Sequence, residues 1–237
     1  MLAEMIDKIV SLKETKTFQI DGHTWADREL TPVEYEKPRP VSIDLHSLDA
    51  VCRMVREELG QVSGTVFVSV EAYDRISVFT TFGEDSDRTY LYRAKADAPG
   101  IGLGWRDIDK AIIELRSLCI PGKGVDHLLG LLSNISFSEG MEVKDNGVGQ
   151  EVKVKSGVSM SSMEKVKPRV ELQPFRTFLE VEQPASEFVV RLDKERGVGL
   201  FEADGGIWKL EAKRNIAKYL EDKLSDLAEK GRVVVLR

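Results

Sequence analysis

The run from Val170 to Leu210, VELQPFRTFLEVEQPASEFVVRLDKERGVGLFEADGGIWKL, limits the fold more than any other part of the chain. It holds Phe175, Phe178, Phe188, Phe201 and Trp208, five of seventeen aromatic residues. Pro174, Gln183-Pro184, Glu195-Arg196-Gly197 and Asp204-Gly205-Gly206 interrupt it. Short apolar and β-branched stretches between such breaks predict a meander of strands joined by tight turns. The run leads into Leu210–Lys230, where Ile216, Tyr219, Leu220, Leu224 and Leu227 recur at helical spacing. A sheet with a helix laid on it is the expected core.

Upstream, Leu2, Met5, Ile6, Ile9 and Leu12 form an apolar stripe at helical spacing within Met1–Lys16. A helix this short is marginal alone in water, so its stripe needs a surface. Thr17–Arg28 reads as a hairpin around Asp21-Gly22, and the proline-punctuated Leu30–Pro40 as an extended connector. Ser47 predicts an N-cap for a helix Leu48–Leu59 that ends before Gly60. Thr65–Phe82 and Arg88–Ala96 alternate as antiparallel strands, and helices are expected from Asp107 to Leu118 and again around Val125–Leu132. Asn146-Gly147 marks a further hairpin, Val158–Met163 a loop or exposed strand, and Arg232–Leu236 a last strand. The expected fold class is α+β, with antiparallel sheets, helices packed on them and a hairpin-rich C-terminal half. Three segments are expected: 1–40, an N-terminal helix, hairpin and connector; 41–136, mixed α/β; and 137–237, a meander with a C-terminal helix and strand.

Several function classes lose weight on charge and spacing. A net charge of −6 over 237 residues argues against a protein gripping duplex DNA through many phosphates. No apolar run is long enough to cross a bilayer, and Met1–Lys16 lacks the apolar centre of a secretory leader, so a cytoplasmic protein is expected. Cys52 and Cys119 fall in apolar helical patterns and read as buried, reduced thiols. His23, His46 and His127 share no metal-ligand spacing with each other or with the cysteines, so neither a metal nor another cofactor is expected.

The candidate chemistry is sparse. Gly100-Ile-Gly102-Leu-Gly104 and Gly122-Lys123-Gly124 each precede a helix, where free N–H groups can hold an anion, but neither completes a dinucleotide or Walker pattern. His127 beside Asp126 reads as a solvated polar turn at a helix start. In a strand Glu180 and Glu182 would share one face with Glu187 nearby, as a solvated face or an interface. Lys153, Lys155, Lys165, Lys167 and Arg169 form basic stripes suited to an acidic neighbour or a single strand of nucleic acid.

In the order of its elements the chain resembles the YfdQ-like group, a family of prophage-encoded proteins of unknown function. LHSLDAVCRMVREEL before TVFVSVEAYDRISVFTTFG resembles its helix and strand pair, and RTYLYRAKADAP with GWRDIDKAIIELRSLCI its next strand and a helix beginning near Trp105. VDHLLGLL, the Asn146-Gly147 hairpin, SEFVVRLDKERGVGLFEADGG and IWKLEAKRNIAKYLEDKL are similar to its C-terminal half, so the likeness spans Ser42 to Arg237. The short N-terminal part and the FRTFLEVEQPASEF run depart from it. The resemblance implies a phage or prophage origin and assigns no functional residue. Three functional expectations stand. The first is a non-enzymatic accessory protein that assembles with itself through Leu2, Met5, Ile6, Ile9 and Leu12 and through strand edges. The second is a small-molecule or nucleotide-binding protein, or an enzyme, with a pocket near the glycine loops. The third is a single-strand nucleic-acid binder.

Overall fold

A computed structural model describes residues 5, 6, 8, 15–20, 23–26, 40–82, 87–135, 143–145, 150–156 and 160–237. It divides into two compact units, Met1–Arg39 and Pro40–Arg237. In the first unit Met5, Ile6 and Lys8 are helical, and β1 (Thr17–Ile20) pairs antiparallel with β2 (His23–Ala26). The hairpin expected at Thr17–Arg28 is therefore present. Asp21-Gly22 and the Leu30–Arg39 part of the connector lie outside the described residues.

The second unit runs β3 (Ile43–Leu45), α1 (Leu48–Glu58), a 3-10 turn at Leu59–Gln61, β4 (Val66–Ala72), β5 (Arg75–Thr80), β6 (Tyr90–Lys95), β7 (Gly104–Arg106), α2 (Ile108–Leu118) and α3 (Lys123–Asn134). It continues with β8 (Val143–Asp145), β9 (Gln150–Ser156), β10 (Met160–Val166), β11 (Arg169–Leu172), β12 (Ser186–Asp193), β13 (Gly197–Glu202), α4 (Trp208–Lys223), α5 (Ser225–Glu229) and β14 (Val233–Leu236). Helices and several antiparallel ladders make it α+β, as the patterning predicts.

Two cores organise these elements. In the first, Val66, Val68, Val70, Ile76, Val78 and Tyr92 alternate inward from a sheet ordered β14-β4-β5-β6-β3. Leu48, Val51 and Val55 of α1 and Ile216, Ala217 and Leu220 of α4 cover that face. Each such fully buried aliphatic side chain is worth about 1.5–3 kcal/mol of transfer free energy. In the second, an antiparallel sheet ordered β11-β12-β13-β7 turns Val170, Leu172, Phe188, Val190, Leu192, Val198 and Leu200 toward Ala111 and Leu115 of α2 and Leu128, Leu131 and Leu132 of α3. A third sheet, β10-β9-β8, lies beside it and puts Val152 into the same core. Gln150 joins the sheets: its amide donates to the Leu192 carbonyl at 3.0 Å and accepts the Leu192 N–H at 2.8 Å. It takes the place of a strand partner, because β11 begins only at Arg169, opposite Val189, and does not reach Leu192.

The structure departs from the sequence expectations at several points. The ladders are not all antiparallel, because β14 runs parallel to β4 and β3 parallel to β6. β3 and β7, of three residues each, were too short to show a period. The helix expected over Leu210–Lys230 breaks at Leu224, where φ is −111° and ψ is 14°, giving α4 and α5. The Ser225 hydroxyl donates to the Asp222 carbonyl at that break. Of the two readings given for Val158–Met163, the strand holds from Met160, since Met160–Val166 pairs with β9 from Met160↔Ser156 to Val166↔Gln150. Segments 41–136 and 137–237 also share their sheets: β14 and α4 complete the first core, while β7, α2 and α3 complete the second. Phe178 reaches the first core and Phe188 the second, so the aromatic run is divided between them. Its middle, Gln173–Ala185, contains no strand.

Candidate functional site

Lys123, Gly124 and His127 lie three and four residues apart, so one face of α3 presents all three. That face meets β11 closely. A β-carbon on Gly124 would collide with the Glu171 carbonyl oxygen and crowd Val170, so only glycine lets the helix sit there. Gly124, which the sequence placed where an anion could sit before a helix, is thus required by packing. Beside this contact lies a cavity of about 380 Å³. Lys123, His127, Lys167, Arg169, Glu171 and Gln173 bring polar groups to it, and Ile120, Pro121, Val125, Val170 and Leu172 supply apolar wall. α3 opens at Gly122, which offers no side-chain cap to its first turn.

His127 was expected in a solvated turn. Instead it lines the cavity, and its Nε2 is buried without a hydrogen-bond partner. Leaving such a group unsatisfied costs about 1–3 kcal/mol. Arg169 donates to Glu187 at 3.0 Å across the ladder, while Lys123 and Lys167 are in no ion pair among the described residues. Among the described residues the lining carries no hydroxyl or thiol nucleophile.

The other glycine loop does something different. Arg106, buried at the end of β7, pairs with Glu114 and donates to the carbonyls of Gly102 and Gly104. The loop turns acceptors inward onto a cation, with φ +63° at Gly100 and +90° at Gly104. An anion finds no cradle there.

A second buried cation, Arg176, was not legible as such, although an Arg-Thr pair set between Phe175 and Phe178 is its one signal. Its guanidinium bonds Glu202 at 3.0 Å, Ser186 Oγ at 2.6 Å and the Pro184 carbonyl at 3.1 Å, and lies 3.7 Å from the centroid of the Trp208 ring. Burial pulls its pKa down, against Glu202 and Asp204, which raise it. Gln183 fastens the same loop: its side-chain oxygen accepts from Arg176 N and Thr177 N, and its amide donates to Phe178 and Val181 carbonyls. These groups pin Gln173–Ala185 between the two cores.

The remaining candidates are scattered. Glu180 and Glu182 do not share a strand face: Glu180 accepts from Leu48 N at 2.7 Å, Glu187 pairs with Arg169, and Glu182 is exposed. His46 pairs with Asp97 at 3.1 Å on the surface. Cys119 lies just beyond α2 rather than within it, and bridges to Pro174. Both cysteines are free and buried, and burial pushes each thiol up to about 11. Of the expected assembly residues, Met5 and Ile6 are 65% and 53% exposed, whereas Leu2, Ile9 and Leu12 lie outside the described residues. Phe18 and Trp25 face each other across the hairpin and are 49% and 57% exposed. On the sheet face away from α1 and α4, Val234, Phe67, Phe79 and Tyr90 stand in one row, and Arg88 lies over the Phe67, Phe79 and Phe82 rings.

Among the described residues no group of three or more His, Cys, Asp or Glu is placed to hold a metal ion, and no helix is long and apolar enough to cross a membrane. Comparison with protein-family models, with characterised proteins and with solved structures finds no match.

Proposed function

We propose that the chain is a non-enzymatic accessory protein that assembles with copies of itself through its N-terminal helix and hairpin, with strand edges as a second contact. The observation that carries this reading is the exposed cross-strand pair Phe18 and Trp25 on a two-stranded ribbon. A ribbon of two strands is marginal in water without a further layer against its apolar face. Met5 and Ile6 add exposed apolar surface from the neighbouring helix. A second copy supplies the same aromatic and aliphatic side chains, and a two-fold contact buries both sets at once. Val234 and Leu236, both part-exposed on the outermost strand β14, offer the edge for strand pairing. A phage or prophage origin is supported by the order of elements from Ser42 to Arg237, and a cytoplasmic location goes with it.

Sedimentation analysis of the full chain, of a variant lacking Met1–Lys16 and of Phe18→Ser/Trp25→Ser tests the proposal. The full chain is expected to sediment as a defined oligomer at micromolar concentration and both variants as smaller species. A monomeric full chain ends the proposal. An oligomer unchanged by either variant removes the N-terminal unit from it.

A further inference from the structure

We propose that the cavity between α3 and β11 binds a phosphate-bearing small molecule, with the phosphate against Lys123, Lys167 and Arg169. The buried cations elsewhere in the unit are each matched by a carboxylate, Arg106 by Glu114 and Arg176 by Glu202. Here, among the described residues, three cations and an imidazole line one hollow with a single carboxylate, Glu171. One N–H of Arg169 is committed to Glu187, and its other donors are open to an anion. His127 adds its imidazole ring to the cavity wall.

Size and wall set the rest of the ligand. A cavity of about 380 Å³ suits a phosphate carrying a small organic part, and Ile120, Pro121, Val125, Val170 and Leu172 give that part an apolar floor. Among the described residues no Phe, Tyr or Trp side chain lines it, so unstacked bases lack a large aromatic platform. That favours a free small molecule over a nucleic-acid strand as the source of the phosphate.

The test is titration of the full chain with inorganic phosphate and with ribose 5-phosphate, followed by amide chemical shifts and by calorimetry. Lys123→Ala/Lys167→Ala is the test variant. Lys218→Ala/Lys230→Ala, which removes two exposed lysines from another surface, is the control. Saturable shifts at Lys123, Gly124, Val125 and His127 are expected, with ribose 5-phosphate binding more tightly than phosphate alone. Affinity should fall about tenfold or more in the test variant and stay unchanged in the control. Equal weakening in both double variants would overturn the proposal, as would the absence of saturable shifts at these residues. So would an oligothymidylate that binds in the cavity while neither small phosphate does.

Discussion

The carboxylate of Glu180 caps a helix that begins 132 residues earlier, accepting the N–H of Leu48 at 2.7 Å. Ser47, the local N-cap, accepts from Ala50 at 3.2 Å, so two side chains share the open donors of α1. A negative charge at that end also complements the helix dipole. Replacing Glu180 with Ala is expected to cost about 0.5–2 kcal/mol, as loss of a cap does. Chemical denaturation of Glu180→Ala beside Glu182→Ala reads it out, because the second carboxylate is exposed and its loss should be near neutral. Equal effects would remove the capping role.

Leu220 is wholly buried where α4 crosses the first core. Leu220→Ala is expected to cost about 2–5 kcal/mol, combining lost transfer energy with a cavity that Ala217 and Ile216 cannot fill. A midpoint shift equivalent to less than about 1 kcal/mol would mean that the sheet closes onto the helix.

Cys52 and Cys119 are expected to resist a water-soluble thiol reagent in the native protein. Their thiols are pushed up to about 11, so on the order of one in ten thousand is thiolate at neutral pH, and both are buried. Labelling should follow unfolding and accelerate with denaturant. Stoichiometric labelling of either thiol within minutes in buffer contradicts this.

Asp193 gives the turn between β12 and β13 an acid limit. Arg196 bonds its carboxylate at 3.0 Å, the N–H groups of Arg196 and Glu195 add two more bonds, and the carboxyl is held at about 2 against an ordinary 3.8. A lowered carboxyl pKa stabilises the folded state above the unfolded value, and that stabilisation is lost as pH falls from about 4 to about 2. Asp193→Asn should therefore flatten the stability profile in that window and leave its shape between about pH 5 and 7 unchanged. A carboxyl resonance titrating near 4 in the folded protein sinks the prediction.

What was legible in the sequence was what neighbours in sequence decide. Ser47 at the start of α1, the valines of β4 and the apolar stripe of α4 all act within a turn or two of themselves. Their period or their capping chemistry is visible in a short window. What stayed hidden depends on partners far along the chain. Glu180 looked like part of a solvated strand because Leu48 is 132 residues away, and nothing near Gln150 signals that its side chain pairs with Leu192. Arg176 sat unremarked in an apolar run, since nothing local says that Glu202, Ser186 and Trp208 will surround it. The cavity was half visible. Gly122-Lys123-Gly124 marked the helix start, but the approach of Lys167 and Arg169 follows from the packing of β11 against α3.

The pairing of β14 with β4 has a consequence in time. Arg232, at the start of the last strand, bonds the Gly64 carbonyl across 168 residues of sequence. At a synthesis rate of about 5–20 residues per second, on the order of ten to thirty seconds pass between the emergence of β4 and of its outer neighbour. Throughout that interval the β4 edge lacks its outer neighbour, and for most of it Val66 and Val68 also lack the cover of α4. The first core therefore closes only after nearly the whole unit has been translated, and the nascent chain offers a chaperone a long window on that edge.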